Sequence, residues 1–228
     1  MRYQGINISK MSGKLEGIPA INTNTLSNDF CIDQNKRKNN SICTYCYSVT
    51  MLQTFRKSCV KSFQHNSDLL SSKVIHPDGL PIINSAFFRF SGHGELINNN
   101  HFINLINICV KNPSVNFALW TKRVTIIRDV LKMHKKPKNL ILIYSNPKID
   151  YILKKIPKNF DKVFNNVTSG AAVIETPFDK VFNNVTSNAV NCSPKRSACL
   201  SCLKCYKFSK SEKNNIIIEQ VKKAGGRK

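Results

Sequence analysis

The spacing of apolar and polar residues changes character near residue 80. Between 47 and 72 there is no proline or glycine. Val49, Leu52, Phe55, Cys59, Phe63 and Leu69 recur there at roughly helical steps, which predicts one long helix. Ahead of it, 1–30 is rich in Ser, Asn and Gly and reads as mostly irregular, and 31–46 reads as a cysteine loop. After the turn HPDGLP at 76–81, short apolar runs alternate with amphipathic ones. Strands are expected at 85–90, 115–120, 140–144 and 162–167, and helices at 98–110, 122–133 and 149–156. Lys111-Asn112-Pro113 stops the first of these helices. The run at 140–144 is apolar throughout, the mark of a strand covered on both faces.

Strands alternating with helices imply βαβ units, and so an α/β fold with a parallel sheet. Right-handed crossovers shape it as a partial (β/α) barrel or an open parallel sheet. The expected layout is an α/β domain over 1–190 and a C-terminal cysteine-rich metal module with a basic tail over 191–228. Ten residues, FDKVFNNVTS, occur at 160–169 and again at 178–187. Two copies are too few for a solenoid. One place in a sheet accepts only one of them, and nothing in the sequence says which.

The chain has 228 residues, of which 41% are hydrophobic, enough for a sizeable core. No apolar run approaches the ~20 residues of a membrane span. The N-terminus lacks an apolar signal-peptide region, so a cytoplasmic location is expected. The formal charge is +22, from 35 Lys and Arg against 13 Asp and Glu. It is uneven: 122–158 carries a net +9 and 195–228 a net +8. So concentrated a field favours a polyanion, and a nucleic-acid partner is expected at these two segments.

Nine cysteines are too few for a disulfide scaffold, and most sit in C-x-x-C spacings. Cys31, Cys43 and Cys46 form C-x11-C-x2-C, and Cys192, Cys199, Cys202 and Cys205 form C-x6-C-x2-C-x2-C. Four thiols within fourteen residues point to metal, because packing alone gives no reason for such density. The C-x2-C-x2-C run occurs in iron–sulfur ferredoxins, whereas zinc sites more often use two separated pairs. A 4Fe–4S cluster is therefore expected, with zinc as the alternative. Cys59 and Cys109 fall on apolar helix faces and are expected in the core.

Between the strand at 85–90 and the next helix lies Ser91-Gly92-His93-Gly94-Glu95. Its glycines let a ligand approach the backbone, and Glu95 accepts a hydrogen bond from an amine. Ligands of parallel sheets bind beyond the carboxyl ends of the strands. Those ends carry Ser91, His93 and Glu95; Thr121, Lys122 and Arg123; Ser145 and Asn146; and Asn165 and Asn166.

Two resemblances follow from these motifs. A cysteine loop before a helix, the aromatic Tyr45 ahead of Cys46 and the Gly/Glu motif after the next strand resemble the radical S-adenosylmethionine superfamily. That resemblance implies a 4Fe–4S cluster on Cys31, Cys43 and Cys46. Gly92, Gly94 and Glu95 would take the amine of S-adenosylmethionine, and Cys192, Cys199, Cys202 and Cys205 would hold an auxiliary cluster. The superfamily spacing is C-x3-C-x2-C, but here position 39 is Asn and the first cysteine lies eight residues further back. ISKMSGKLEGIPAINTNTL (8–26), ICTYCYS (42–48), FFRFSGHGELIN (87–98), NFALWTKR (116–123), LILIYSNP (140–147), FDKVFNNVTS and the cysteine-rich end resemble a family known by the phage label gene product 88. This implies a phage- or plasmid-encoded protein in a bacterial cytoplasm. The expected function is that of a radical-S-adenosylmethionine-like enzyme acting on nucleic acid, with Ser145 and Asn146 also at the cofactor site. The alternatives are a non-catalytic, zinc-containing nucleic-acid-binding protein, with Cys43/Cys46 and Cys202/Cys205 as its two pairs, and an inhibitor of a host nucleoprotein.

Overall fold

The computed structural model describes residues 5–37, 39–153, 155–168, 190–192, 198–209 and 215–221. Its strands are β1 (Ala20–Ile21), β2 (Phe87–Phe90), β3 (Asn116–Thr121), β4 (Leu140–Ile149), β5 (Lys162–Thr168), β6 (Val190–Asn191) and β7 (Ile216–Val221). They form one open sheet ordered β1-β2-β3-β4-β5-β7-β6, and every neighbouring pair is parallel. Three helices, α1 (Asp29–Lys36), α2 (Tyr47–Gln53) and α3 (Val60–Ser72), lie between β1 and β2. α4 (Asn99–Lys111) joins β2 to β3, and α5 (Val124–Val130) joins β3 to β4. A single turn, α6 (Cys199–Cys202), precedes β7. The α/β class and the open parallel sheet agree with the expectation.

Each face of the sheet has its own cover. On one, Phe88, Phe90, Phe117, Leu119, Leu140 and Leu142 pack against Leu70, Phe102, Leu105, Ile127 and Val130 of α3, α4 and α5. Phe90 stacks on Phe117 with centroids 5.1 Å apart. Each such buried side chain contributes about 1.5–3 kcal/mol. On the other face, Ala118, Ile141 and Ile143 with Phe87, Trp120 and Phe164 meet Ile18, Leu203 and Tyr206. The C-terminal cysteine turn is thus a lid on the second face. β7 lies within the sheet between β5 and β6, so part of the C-terminal segment belongs to the same layer as the first 168 residues.

Several expected elements differ. The helix predicted over 47–72 is broken. Thr54 leaves helical geometry (φ −116°, ψ −106°), a 3-10 turn follows at Lys57–Cys59, and Phe55 is exposed. Two short helices satisfy the same apolar spacing: α2 turns Ser48 and Leu52 inward, and α3 buries Phe63 and Leu70. Cys59 is therefore half-buried in a turn, while Cys109 is in the core as expected. No helix forms at 149–153. β4 runs on to Ile149, Asp150 is left-handed (φ 60°), and its carboxylate accepts from Thr168 N (2.6 Å) and Thr168 Oγ1 (2.9 Å). Residues 29–36, expected within a mostly irregular N-terminus and a loop, are helix α1 and carry Cys31. The first copy of the repeat supplies β5, and the second lies outside the described residues. Among the described residues no helix is long and apolar enough to cross a membrane.

Candidate ligand and metal cavity

The carboxyl ends of the strands open into a cavity of about 960 Å³. Cys31, Cys43, Cys46, Cys192, Cys199, Cys202 and Cys205 all line it, together with Ser91, Gly92, His93, Gly94, Glu95, Lys122, Ser145 and Asn166. Chain segments more than 140 residues apart in sequence therefore bring both cysteine groups to one space.

Local chemistry holds the first group in place. Asn28 caps α1 by accepting from Cys31 N (3.3 Å), and its amide donates to Glu95 O (3.0 Å). Asn35, on the same helix, donates to Cys43 O (2.8 Å). Ser41 bridges Lys148 on the extension of β4, Ile42 N donates to Pro147 O (2.9 Å), and Ile149 N donates to Asn40 O (3.1 Å). The cysteine loop thus pairs with the edge that β4 leaves free where it runs on past the end of β3 at Tyr144, while its other edge stays with β5 at Ile149.

The glycine turn rests on a buried polar floor. Asn22, Thr23, Asn24 and Thr25 follow β1 and are nearly inaccessible. Asn22 Oδ1 accepts from His93 N (2.8 Å), Thr25 Oγ1 accepts from Gly94 N (3.0 Å), and Thr23 N donates to His93 O (3.1 Å). Gly94 has φ +81°, and a Cβ there would run into the hydroxyl and carbonyl of Thr23. Beside it, Tyr47 donates its hydroxyl to Gly92 O. His93 shares a 2.8 Å hydrogen bond with Ser48 and lies against Phe63 and Tyr47. Burial, aided by Arg56 and Arg89, lowers its pKa to about 4, so the imidazole is neutral at pH 7.

Glu95 is already well used: Oε1 accepts from Thr121 Oγ1 (2.5 Å) and Leu96 N (2.9 Å), and Oε2 from Lys122 N (2.9 Å). Lys122 donates to Ser145 Oγ (3.2 Å). Burial opposes the charge of Lys122, yet Cys43, Glu95, Cys46 and Cys31 outweigh it and hold its pKa above the ordinary value. Burial pushes the Cys31 and Cys43 thiols up. The nearby Glu95 and Cys46 add to that, and Lys122 opposes them.

The second group lines the same cavity from the C-terminal segment. Leu203, left-handed at φ 51°, turns the chain after α6 so that Cys205 and Tyr206 point back at the sheet. Burial, then the neighbouring Cys192, pushes the Cys205 thiol up to about 12. Lys14 donates to Glu219 (3.0 Å) and lies 3.6 Å from Cys192 Sγ.

Of the strand-end residues expected at the site, Ser91, His93, Glu95, Lys122, Ser145 and Asn166 do line the cavity. Thr121 supports Glu95 from behind. Asn146 points elsewhere, donating to Tyr151 O (2.6 Å) and Asn165 Oδ1 (3.0 Å) to brace the turn after β4. Arg123 lies over Phe30. The sequence reading missed the Asn22–Thr25 floor, Lys14, Arg89 and Tyr206; the dense Asn/Thr run after β1 was the available signal for the floor. Among the described residues no three His, Cys, Asp or Glu side chains are gathered closely enough to share one metal ion, so the expected metal module is a set of converging thiols here and not a formed site.

Fold and cavity together define an α/β protein with an open parallel sheet and a thiol-lined chamber at its carboxyl edge. The chain belongs to the Gene product 88 family, whose profile matches residues 10–208. Among curated proteins and among solved structures, nothing matches.

Proposed function

We propose that the chain is an iron–sulfur enzyme of radical-S-adenosylmethionine type. One observation carries the reading: Cys31, Cys43 and Cys46 line the same cavity as the Gly92–Glu95 turn, at the ligand-binding edge of a parallel sheet. The donor set fits a cluster. Its thiols influence one another's charge, and Lys122 supplies a cation beside them. Cys31, Cys43 and Cys46 supply three thiols to one cavity, the number that the radical-S-adenosylmethionine resemblance implies for a 4Fe–4S cluster. Cys192, Cys199, Cys202 and Cys205 would hold a second cluster in the same cavity. When bound, the first cluster supplies the one-electron reduction that opens S-adenosylmethionine.

The chain's own residues bind and orient. The glycine turn would take the amine, and Glu95, held by three donors, keeps that turn in shape. His93 stays neutral and packed between Phe63 and Tyr47, closing the wall. The basic segments support a nucleic-acid target.

Anaerobic purification tests this. The expected protein is brown, with iron and sulfide, and when reduced it converts S-adenosylmethionine to 5′-deoxyadenosine. Cys43→Ser should lose the iron of the first site, and Glu95→Gln should weaken S-adenosylmethionine binding while iron stays. Stoichiometric zinc without iron, or iron without any S-adenosylmethionine binding by calorimetry, would overturn the assignment.

A further inference from the structure

We infer that Arg89 and Tyr206 form a phosphate-binding subsite on the cavity wall, on the side of the C-terminal cysteines. Arg89 rises from β2 into the chamber, its guanidinium lying over Trp120 at 4.0 Å from the ring centroid. Trp120 in turn meets Tyr206 edge-on, with centroids 5.9 Å apart. Stacking fixes where the guanidinium sits without using its hydrogen-bond donors.

Two polar atoms of this group lack partners. Arg89 Nε is buried without an acceptor, and the Tyr206 hydroxyl is buried without one on a side chain only 1% exposed. The Arg89 guanidinium lies within reach of the tyrosine oxygen and favours its phenolate, but neither Nε nor the hydroxyl makes a hydrogen bond of good geometry with a described residue. The tyrosine oxygen can accept from a guanidinium, but an arginine accepts nothing, so the phenol proton and the proton on Arg89 Nε are both left without an acceptor. Buried donors without acceptors are costly and scarce in folded proteins. An oxyanion placed between them accepts from both, in the charge-assisted geometry that guanidinium favours.

The surroundings favour phosphate over carboxylate. Of the two carboxylates on the wall, Glu219 is paired with Lys14 and Glu95 is occupied by three donors. Arg56, Arg89 and Lys204 line the same space with no ion pair among the described residues. That surplus of positive charge suits a dianion. The subsite rests on the proposed function only in taking its ligand to be the substrate; phosphate binding itself needs no cluster.

Trp120 is the chain's sole tryptophan, so its fluorescence reports on this site alone. The purified full-length protein is titrated with inorganic phosphate, adenosine 5′-monophosphate and acetate, with calorimetry in parallel. Saturable binding of both phosphates and much weaker binding of acetate is expected. Arg89→Gln should weaken phosphate about ten- to a hundredfold and Tyr206→Phe several-fold, as loss of charge-assisted and neutral hydrogen bonds implies, while Lys73→Gln, exposed after α3 and outside the cavity lining, changes nothing. Tighter binding of the nucleotide identifies a nucleotide ester as the source of the phosphate, and equal binding identifies free phosphate. No saturable response, acetate binding as tightly as phosphate, or unchanged affinity in Arg89→Gln overturns the subsite. Should Arg89→Gln misfold, unchanged affinity in Tyr206→Phe overturns it equally. Phosphate binding without S-adenosylmethionine cleavage would sink the enzyme reading alone, and cleavage without phosphate binding would sink the subsite alone.

Discussion

Gly94 shows how tightly one residue can be specified. Its positive φ disfavours any side chain, and Thr23 occupies the place a Cβ would take. Gly13 has a similar φ of +64° with nothing within 4 Å, so it isolates the backbone part of the cost. Gly13→Ala should lose about 1–2 kcal/mol, the ordinary left-handed penalty. Gly94→Ala should lose clearly more, since the turn or its polar floor must also move. Urea unfolding of the two variants checks this, and equal losses would mean that the floor yields freely. The glycines themselves were legible as a ligand-approach signal. The clash was not, because Thr23 lies 71 positions away.

At the scale of elements, α1 is the hinge of the site. Asn28 both caps the helix and tethers it to Glu95. Asn28→Ala should cost about 1–2 kcal/mol, the usual value of a cap together with a buried hydrogen bond. Asn28→Ser restores the cap but does not reach Glu95, so it should recover only part of that loss in thermal melts. Full recovery would show that the tether contributes nothing. Periodicity found α4, α5 and the central strands to within a few residues, because their apolar faces are long and regular. It failed at 47–72 and at 149–156. In both places polar side-chain bonds accompany the departure: Thr54 Oγ1 to Thr50 O (2.7 Å) in the first, and Asp150 to Thr168, far along the chain, in the second. Apolar spacing carries no record of such bonds.

Across the whole molecule, positive charge lies both at the cavity mouth and at the far edge of the sheet. Lys135 and Lys138 are exposed in the loop entering β4, but Lys136 is bound to Asp161 at 2.6 Å. If this loop meets a nucleic acid, neutralising all three should flatten the log K against log[salt] plot by only about two contacts' worth, at roughly 0.7–0.9 per contact. Lys136→Gln alone should leave the slope nearly unchanged. Filter binding across salt concentrations measures both. A slope unaffected by the triple variant, with a large change on replacing Lys122 and Arg123, would move the polyanion to the cavity mouth.

The sequence by itself determined the class of fold, the order of its main elements and the residue types able to hold a metal. These follow from local period, turn chemistry and thiol density, all readable within about twenty residues. Only the tertiary structure decided that Cys31–Cys46 and Cys192–Cys205 share one cavity, that β7 returns between β5 and β6, and that Arg89 and Tyr206 meet with their donors unpaired. Each of these depends on which strand lies beside which. In a parallel sheet that is set by the crossovers and by the burial of both faces together, so no window of sequence contains it.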